Sequence, residues 1–271
     1  MKPQDLKLIV QEKYSEIAQK SFTQNQSGCC STTGCCDSTG AGYSMLGDEY
    51  THLAGYNPDA DMNLGCGVPT HYAGIKKGNS VLDLGSGAGN DCFVVRAIVG
   101  EKGSVTGLDF TEAMVEKARI NNQKMGFTNV NFVQGDIEEL SLPHNTYDVI
   151  VSNCVLNLVP DKAKAFANIF RVLKPGGHFC ISDVVIKGTL PEKLRKDAEM
   201  YVGCVAGAML HDEYINIIKT AGFENITIHL LRETPVPTDI LSNYLNQEEL
   251  EAYQNGTNGI FSLTVSAFKP V

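Results

Sequence analysis

Tryptophan is absent from this 271-residue chain, and basic residues are scarce, with 22 Lys and Arg against 31 Asp and Glu for a net charge of −9. A net-acidic surface argues against nucleic acid or an anionic membrane as the main partner. Long apolar runs are also missing. Stretches such as FVVRAIVG and YDVIVSN are short and polar-edged, well below the roughly 18 residues that span a bilayer. The opening MKPQDLKLIVQEKYSEIAQK carries charge throughout and has no uninterrupted apolar core of a secretory signal. There is no Gly-Lys-Ser/Thr phosphate loop, which removes support for nucleotide hydrolysis. These absences lead to the expectation of a soluble, cytoplasmic protein.

Against them stands an excess of cysteine: nine residues, an odd number. In a reducing compartment such thiols are metal ligands, nucleophiles or core filler more often than structural disulfides. Four of them, Cys29, Cys30, Cys35 and Cys36, fall in a Gly-, Ser- and Thr-rich loop. Leu6, Val10, Tyr14 and Ile17 precede that loop at the three- and four-residue steps of an amphipathic helix.

From Ser80 onward the pattern alternates. VLDLG, SVTGLDF, VNFVQ, YDVIVSN and GHFCISDVV read as strands, most of them continuous apolar runs. The helical runs NDCFVVRAIV, Thr111 to Met125 and Lys162 to Lys174 fall between them, with Thr111 as a cap and Gly126 as a stop. HDEYINIIKTAG, FENITIHLL and FSLTVSAF add a helix and two strands. The expectation is an α/β fold: a doubly wound, mostly parallel seven-stranded sheet covered on both faces, with N-terminal and C-terminal caps. Residues 1–62 read as the N-terminal helix and Cys-rich arm, 63–186 as the ligand-binding core, and 187–271 as a cap that completes the sheet.

The turn after the first strand is the informative motif. In a doubly wound sheet it sits where ligands bind. Gly85, Gly87 and Gly89 in DLGSGAG let the backbone approach a ligand, and the next helix offers free amides. The sixth position of a dinucleotide fingerprint is Asn90 and not glycine, which weakens a nicotinamide reading. Asp83, Asp109 and Asp136 close three consecutive strands. Asp109 is placed to accept from ribose hydroxyls, and Asp136 to meet an exocyclic amine.

DLGSGAG, the acid of GLDF, the GD of QGDIEEL and LKPGG resemble the class I methyltransferases that use S-adenosylmethionine, closely over residues 80–185. The resemblance implies that Gly85, Ser86 and Gly87 hold the methionine part of the cofactor and that Asp109 binds ribose. It also implies that Asp136 and Ile137 contact adenine with Met114 packed beside it. Asn153 and Asn157, on either side of Cys154, are candidates for orienting the cofactor's amino group or for capping a turn, with Asn153 taken as the cofactor contact.

The remaining cysteines separate by context. Cys92 in a sheet-covering helix and Cys180 inside a strand read as core. Cys154 ends the fourth strand, Cys66 stands between two glycines before the first, and Cys204 lies in the cap after the fifth. Jointly these three suit a soft-ligand site. NLGCGVP, SNCVLNL, GCVAGA, the opening helix with its Cys-rich loop and the closing SLTVSAFKP resemble the arsenite methyltransferases over essentially the whole chain. Val68 departs from the Asn expected there. The resemblance implies that Cys66, Cys154 and Cys204 hold trivalent arsenic, delivered as arsenite or its thiol conjugates. Its lone pair takes a methyl group, and a thiol reductant such as glutathione or thioredoxin restores the trivalent state. The four loop cysteines are expected to form a thiol arm that recruits the metalloid, with a zinc site as the alternative. Two other functions stay open at this level: a quinone-biosynthesis type C- or O-methyltransferase with incidental cysteines, and a non-catalytic metalloid-binding protein.

Overall fold

The apolar runs become strands where helices can cover both of their faces. The computed structural model describes residues 3–19, 50–62, 64–188, 208–234, 245–255 and 258–271. Within them β1 (Ser80–Leu84), β2 (Ser104–Asp109), β3 (Val130–Gln134), β4 (Tyr147–Asn153) and β5 (Leu173–Lys187) pair in parallel in the order β3-β2-β1-β4-β5. The helices α2 (Asn90–Val99), α3 (Glu112–Met125) and α4 (Lys162–Val172) make three of the crossovers. The strand order reverses at β1 and β4, so their carboxyl ends open a crevice there.

The tail closes the sheet. A two-residue β6 (Met209–Leu210) pairs in parallel with the end of β5, followed by α5 (His211–Thr220), β7 (Glu224–Glu233), α6 (Gln247–Gln254) and β8 (Gly259–Phe268). β8 inserts antiparallel between β5 and β7, giving the expected seven-strand path with β6 beside it. α1 (Pro3–Ala18) lies against α3, where Lys117 Nζ donates to the Ala18 carbonyl at 2.9 Å.

Alternation along the strands sorts the core onto the two faces of the sheet. Leu82, Leu84, Ile150, Phe166, Phe179 and Tyr214 fill one face. Val81, Phe93, Met114, Val149 and Val151 fill the other, joined there by Cys92 and Cys180, the two cysteines read as core.

Two local expectations need correction. α4 ends at Val172, and Leu173 and Lys174 already belong to β5. Pro175 is the reason, because its ring disfavours helical geometry in the residue before it. Thr111 occupies the N-cap of α3 without a side-chain bond to the helix. Gly126 does close α3, at φ 72°, donating to the Asn122 carbonyl. Among the described residues no helix is long and apolar enough to cross a membrane.

Candidate active site

The crevice at the strand ends is a cleft of about 1130 Å³, its open mouth included. Gly85, Ser86 and Gly87 form its floor, and Asp109, Met114, Asp136, Ile137, Asn153 and Cys154 also line it. The glycine turn is required by geometry: Gly85 has φ 71°, and a Cβ there would sit 2.2 Å from Val155. Asp109 fixes the same turn. Its carboxylate accepts from the amides of Gly87 at 2.9 Å and Thr111 at 2.8 Å. Burial raises its pKa while those amides favour the charged form.

Acidity accumulates behind the turn. Asp83 is fully buried and does not line the cleft; it accepts from the Cys92 thiol at 3.2 Å. Burial and then the neighbouring Asp91 hold its pKa well above the usual carboxylate range. Asp91, in the first turn of α2, does line the cleft. Its Oδ2 accepts from the Tyr50 hydroxyl at 3.1 Å and from Asn153 Nδ2 at 3.4 Å, while its Oδ1 is buried with no partner among the described residues. Burial pushes its pKa up to about 6. The partners of these acids are neutral groups. Buried carboxylates with no cation beside them among the described residues fit a ligand that carries positive charge into this end of the cleft.

The far end of the cleft is crossed by α1, whose Lys7, Val10 and Tyr14 face it. Lys7 pairs with Asp136 at 2.6 Å and also with Glu138. The acid expected to meet an adenine amine is thus already engaged by this lysine.

Next to the acids, β4 and the Gly65–Gly67 loop bring two thiols together. Cys154 follows β4 at φ 61°, a left-handed conformation that costs a non-glycine residue roughly 1–2 kcal/mol. Its amide donates to the Ser182 carbonyl at 2.8 Å. Cys66 is held at both ends of its peptide: its N–H donates to Asn153 Oδ1 at 3.0 Å, and its carbonyl accepts from the Ser262 hydroxyl. The glycines on either side are explained by close approach. A Cβ at Gly65 would meet Asn153 Nδ2 at 2.7 Å, and one at Gly67 would meet Ser182 Oγ at 2.6 Å. Cys66 and Cys154 are both buried, and their sulfur atoms lie within 4.8 Å of each other and of an Asp183 carboxylate oxygen.

Asp183 comes from β5 and is fully buried. Tyr214 of α5 donates its hydroxyl to Asp183 Oδ2 at 3.1 Å, and Oδ1 has no partner among the described residues. Burial raises the carboxyl pKa to about 7, opposed by Lys162, by the Tyr214 bond and by the nearby backbone amides of Val184 and Asn157. The same burial, with Asp183 and the two thiols beside it, pushes the Tyr214 hydroxyl well above its ordinary value.

A model described as a methyltransferase domain matches residues 75–222. An arsenite methyltransferase of Halobacterium salinarum is 37% identical over 99% of this chain and 68% of its own length. The chain belongs to the arsenite methyltransferase family. The human arsenite methyltransferase is 35% identical over 79% of this chain, which spans only 57% of that relative's length. The crystal structure of an arsenic(III) S-adenosylmethionine methyltransferase from Chlamydomonas reinhardtii superposes with a TM-score of 0.63 at 36% identity, over 76% of this chain and 68% of that one. These matches favour the arsenite methyltransferase family over the quinone-biosynthesis alternative, and the fold is that of the class I methyltransferases.

Within this family member, the structure unites nine of the twelve expected site positions around one cleft, sets Asp83 and Cys66 one layer deeper, and leaves Cys204 outside the described residues. Cys29, Cys30, Cys35 and Cys36 also lie outside them. Sequence reasoning missed Lys7, Tyr50, Asp91, Asp183 and Tyr214. An acid inside the apolar run FCISDVV was the available signal for Asp183; Tyr50, just past the Cys-rich loop, offered none.

Proposed function

We propose that this protein transfers methyl groups from S-adenosylmethionine to trivalent arsenic held by cysteine thiolates. One observation carries the reading: two thiols from distant parts of the chain meet beside the cofactor-sized cleft, and Cys154 belongs to both places. Cys66 and Cys154 are the thiols the geometry supports; the resemblance to the family adds Cys204 as the third.

Gly85, Ser86, Gly87, Asp109, Met114 and Ile137 are the residues that would hold the cofactor, with Asp91 and Tyr50 facing its amino-acid end. The bound cofactor supplies an electrophilic methyl group on a sulfonium. The protein's own work is then to fix the arsenic lone pair in line with that methyl, a matter of proximity and orientation worth up to ~7–11 kcal/mol in favourable systems. Arsenic gives up no proton in this step, so no side chain needs to act as its base. The thiols exchange their protons on loading, and the buried position of Cys66 and Cys154 excludes water from the As–S bonds. Methylation formally oxidises arsenic by two electrons. A thiol co-substrate such as glutathione or thioredoxin, which a cytoplasmic location would provide, returns it to the trivalent state.

Incubation with arsenite, S-adenosylmethionine and glutathione, followed by arsenic speciation by chromatography and elemental mass spectrometry, tests the proposal. Methylated arsenic is the expected product, and Cys66→Ser or Cys154→Ser is expected to abolish it while cofactor binding survives. Full activity in either variant would refute thiolate capture.

A further inference from the structure

Asp183 has no duty in the chemistry above, yet it is built into the thiol pair. Its Oδ1 is fully buried and has no partner among the described residues, although the carboxylate reaches within 4.8 Å of both sulfurs. The Tyr214 hydroxyl holds the other oxygen. The strand is held on the β8 side at this position, with Asp183 opposite Leu263 and the Ser182 hydroxyl bonded to that of Thr264 at 2.8 Å, and on the other side it pairs with β4 up to Ser182, opposite Asn153. The site therefore combines two soft donors with one fixed hard acceptor.

We propose that Asp183 recognises the oxygen side of inorganic arsenite, accepting a hydrogen bond from the hydroxyl that arsenic keeps after Cys66 and Cys154 have replaced the other two. The inference rests on the arsenic chemistry proposed above. Neutral arsenite carries three hydroxyls. Each thiol forms one As–S bond, one As–O bond breaks, and the thiol proton departs with the released hydroxyl as water; arsenic stays trivalent. Two such exchanges leave one As–OH group, and the Asp183 carboxylate, whose Oδ1 makes no hydrogen bond of ordinary geometry among the described residues, is the acceptor for it. Methylarsonous acid carries only two hydroxyls, so the same two exchanges leave a methyl group that has nothing to donate. Asp183 thereby separates the unmethylated substrate from its singly methylated product while the two thiols treat both alike.

The test is equilibrium dialysis of arsenite and of methylarsonous acid, with bound arsenic counted by elemental mass spectrometry. The parent is the full chain carrying Cys204→Ser, in which the retained hydroxyl is not exchanged for that thiol. Asp183→Asn in this parent is expected to weaken arsenite about tenfold, the scale of one charge-assisted hydrogen bond, and Asp183→Ala more. Methylarsonous acid should change less than about twofold, on the same scale. Equal losses for the two arsenicals, or no loss for arsenite, overturn the role of Asp183 alone. Uptake of neither arsenical by the unaltered chain overturns the proposed function itself, and uptake by the unaltered chain but not by the parent overturns the two-thiol capture on which the role of Asp183 depends. S-adenosylmethionine binding reports that each variant is folded. A second measurement needs no change at Asp183: the parent's preference for arsenite over methylarsonous acid must exceed that of dithiothreitol, a dithiol with no carboxylate, by about the same tenfold. An equal preference overturns the proposal.

Discussion

Asn153 Oδ1 accepts the backbone N–H of Cys66 at 3.0 Å, while its Nδ2 donates to the Tyr50 hydroxyl at 2.7 Å and to the Gly67 carbonyl at 2.8 Å. One amide at the end of β4 thus fixes the loop that carries a thiol and also touches the hydroxyl bonded to Asp91 on the cofactor side. Both ends of this side-chain amide are engaged, the oxygen by the Cys66 amide and the nitrogen by Tyr50, Gly67 and, at 3.4 Å, Asp91.

Asn153→Ala should therefore damage both sites at once. The amide of Cys66 loses its partner, a cost of ~1–3 kcal/mol for a buried polar group left unsatisfied, and the carbonyl of Gly67 keeps only the Tyr50 hydroxyl at 3.1 Å. Calorimetric titration should show weaker S-adenosylmethionine and weaker arsenite binding, with a lower unfolding midpoint. A loss confined to one ligand would contradict the shared role.

Cofactor affinity should depend on Asp91. Its pKa in the unliganded protein is raised by burial to about 6, and the groups around it are Tyr50, Asn153, Asp83 and Asp61. A cationic ligand favours the charged carboxylate, so binding should be tight above pH 6 and weaken as the pH falls through that value. The stability of the unliganded protein runs the other way. A carboxyl whose folded pKa lies above its unfolded value holds its proton more firmly when folded, so stability rises as pH falls from about 6 towards 4. Asp91→Asn should weaken the cofactor, flatten both dependences and raise the melting temperature at neutral pH. Isothermal titration and thermal denaturation across pH 5–8 check the signs.

Lys7 ties α1 to Asp136 and Glu138 across the mouth of the cleft, with its side chain 26% exposed. A partly exposed ion pair is worth at most ~1 kcal/mol, so Lys7→Met should hardly move the melting temperature. It should nevertheless speed cofactor dissociation several-fold by releasing the helix that faces the cleft. Filter-binding measurement of labelled cofactor release decides this, and an unchanged rate would show that α1 does not retain the ligand.

Gly67→Ala places a methyl 2.6 Å from Ser182 Oγ. Overpacking at a buried site costs ~1–3 kcal/mol, and a shift of the loop to relieve it would displace the neighbouring Cys66. Arsenite binding should fall more than S-adenosylmethionine binding, measured side by side on the same preparation.

The legible parts of the fold follow from burial. Strands covered on both faces need continuous apolar residues, and VLDL and YDVIVSN announce themselves for that reason. The same rule concealed Asp183: inside an apolar strand an acid reads as an exception, and its meaning depends on which side chains the sheet places beside it. Asp136 was visible as a strand-end acid, whereas Lys7, which occupies it, belongs to a helix far away in the chain.

The sequence by itself determined the order of strands and helices, the glycine turn and the family, because each is written in local periodicity or contiguous motif. Only the tertiary structure decided that Cys66 and Cys154 are neighbours, that the glycines around Cys66 make room for Asn153 and Ser182, and that Asp183 completes the cluster. The reason is sheet register. Cys66 is hung from β4 and β8, Cys154 is anchored to β5, and Asp183 is a rung of β5, so their meeting depends on strand pairings that no local stretch of sequence encodes.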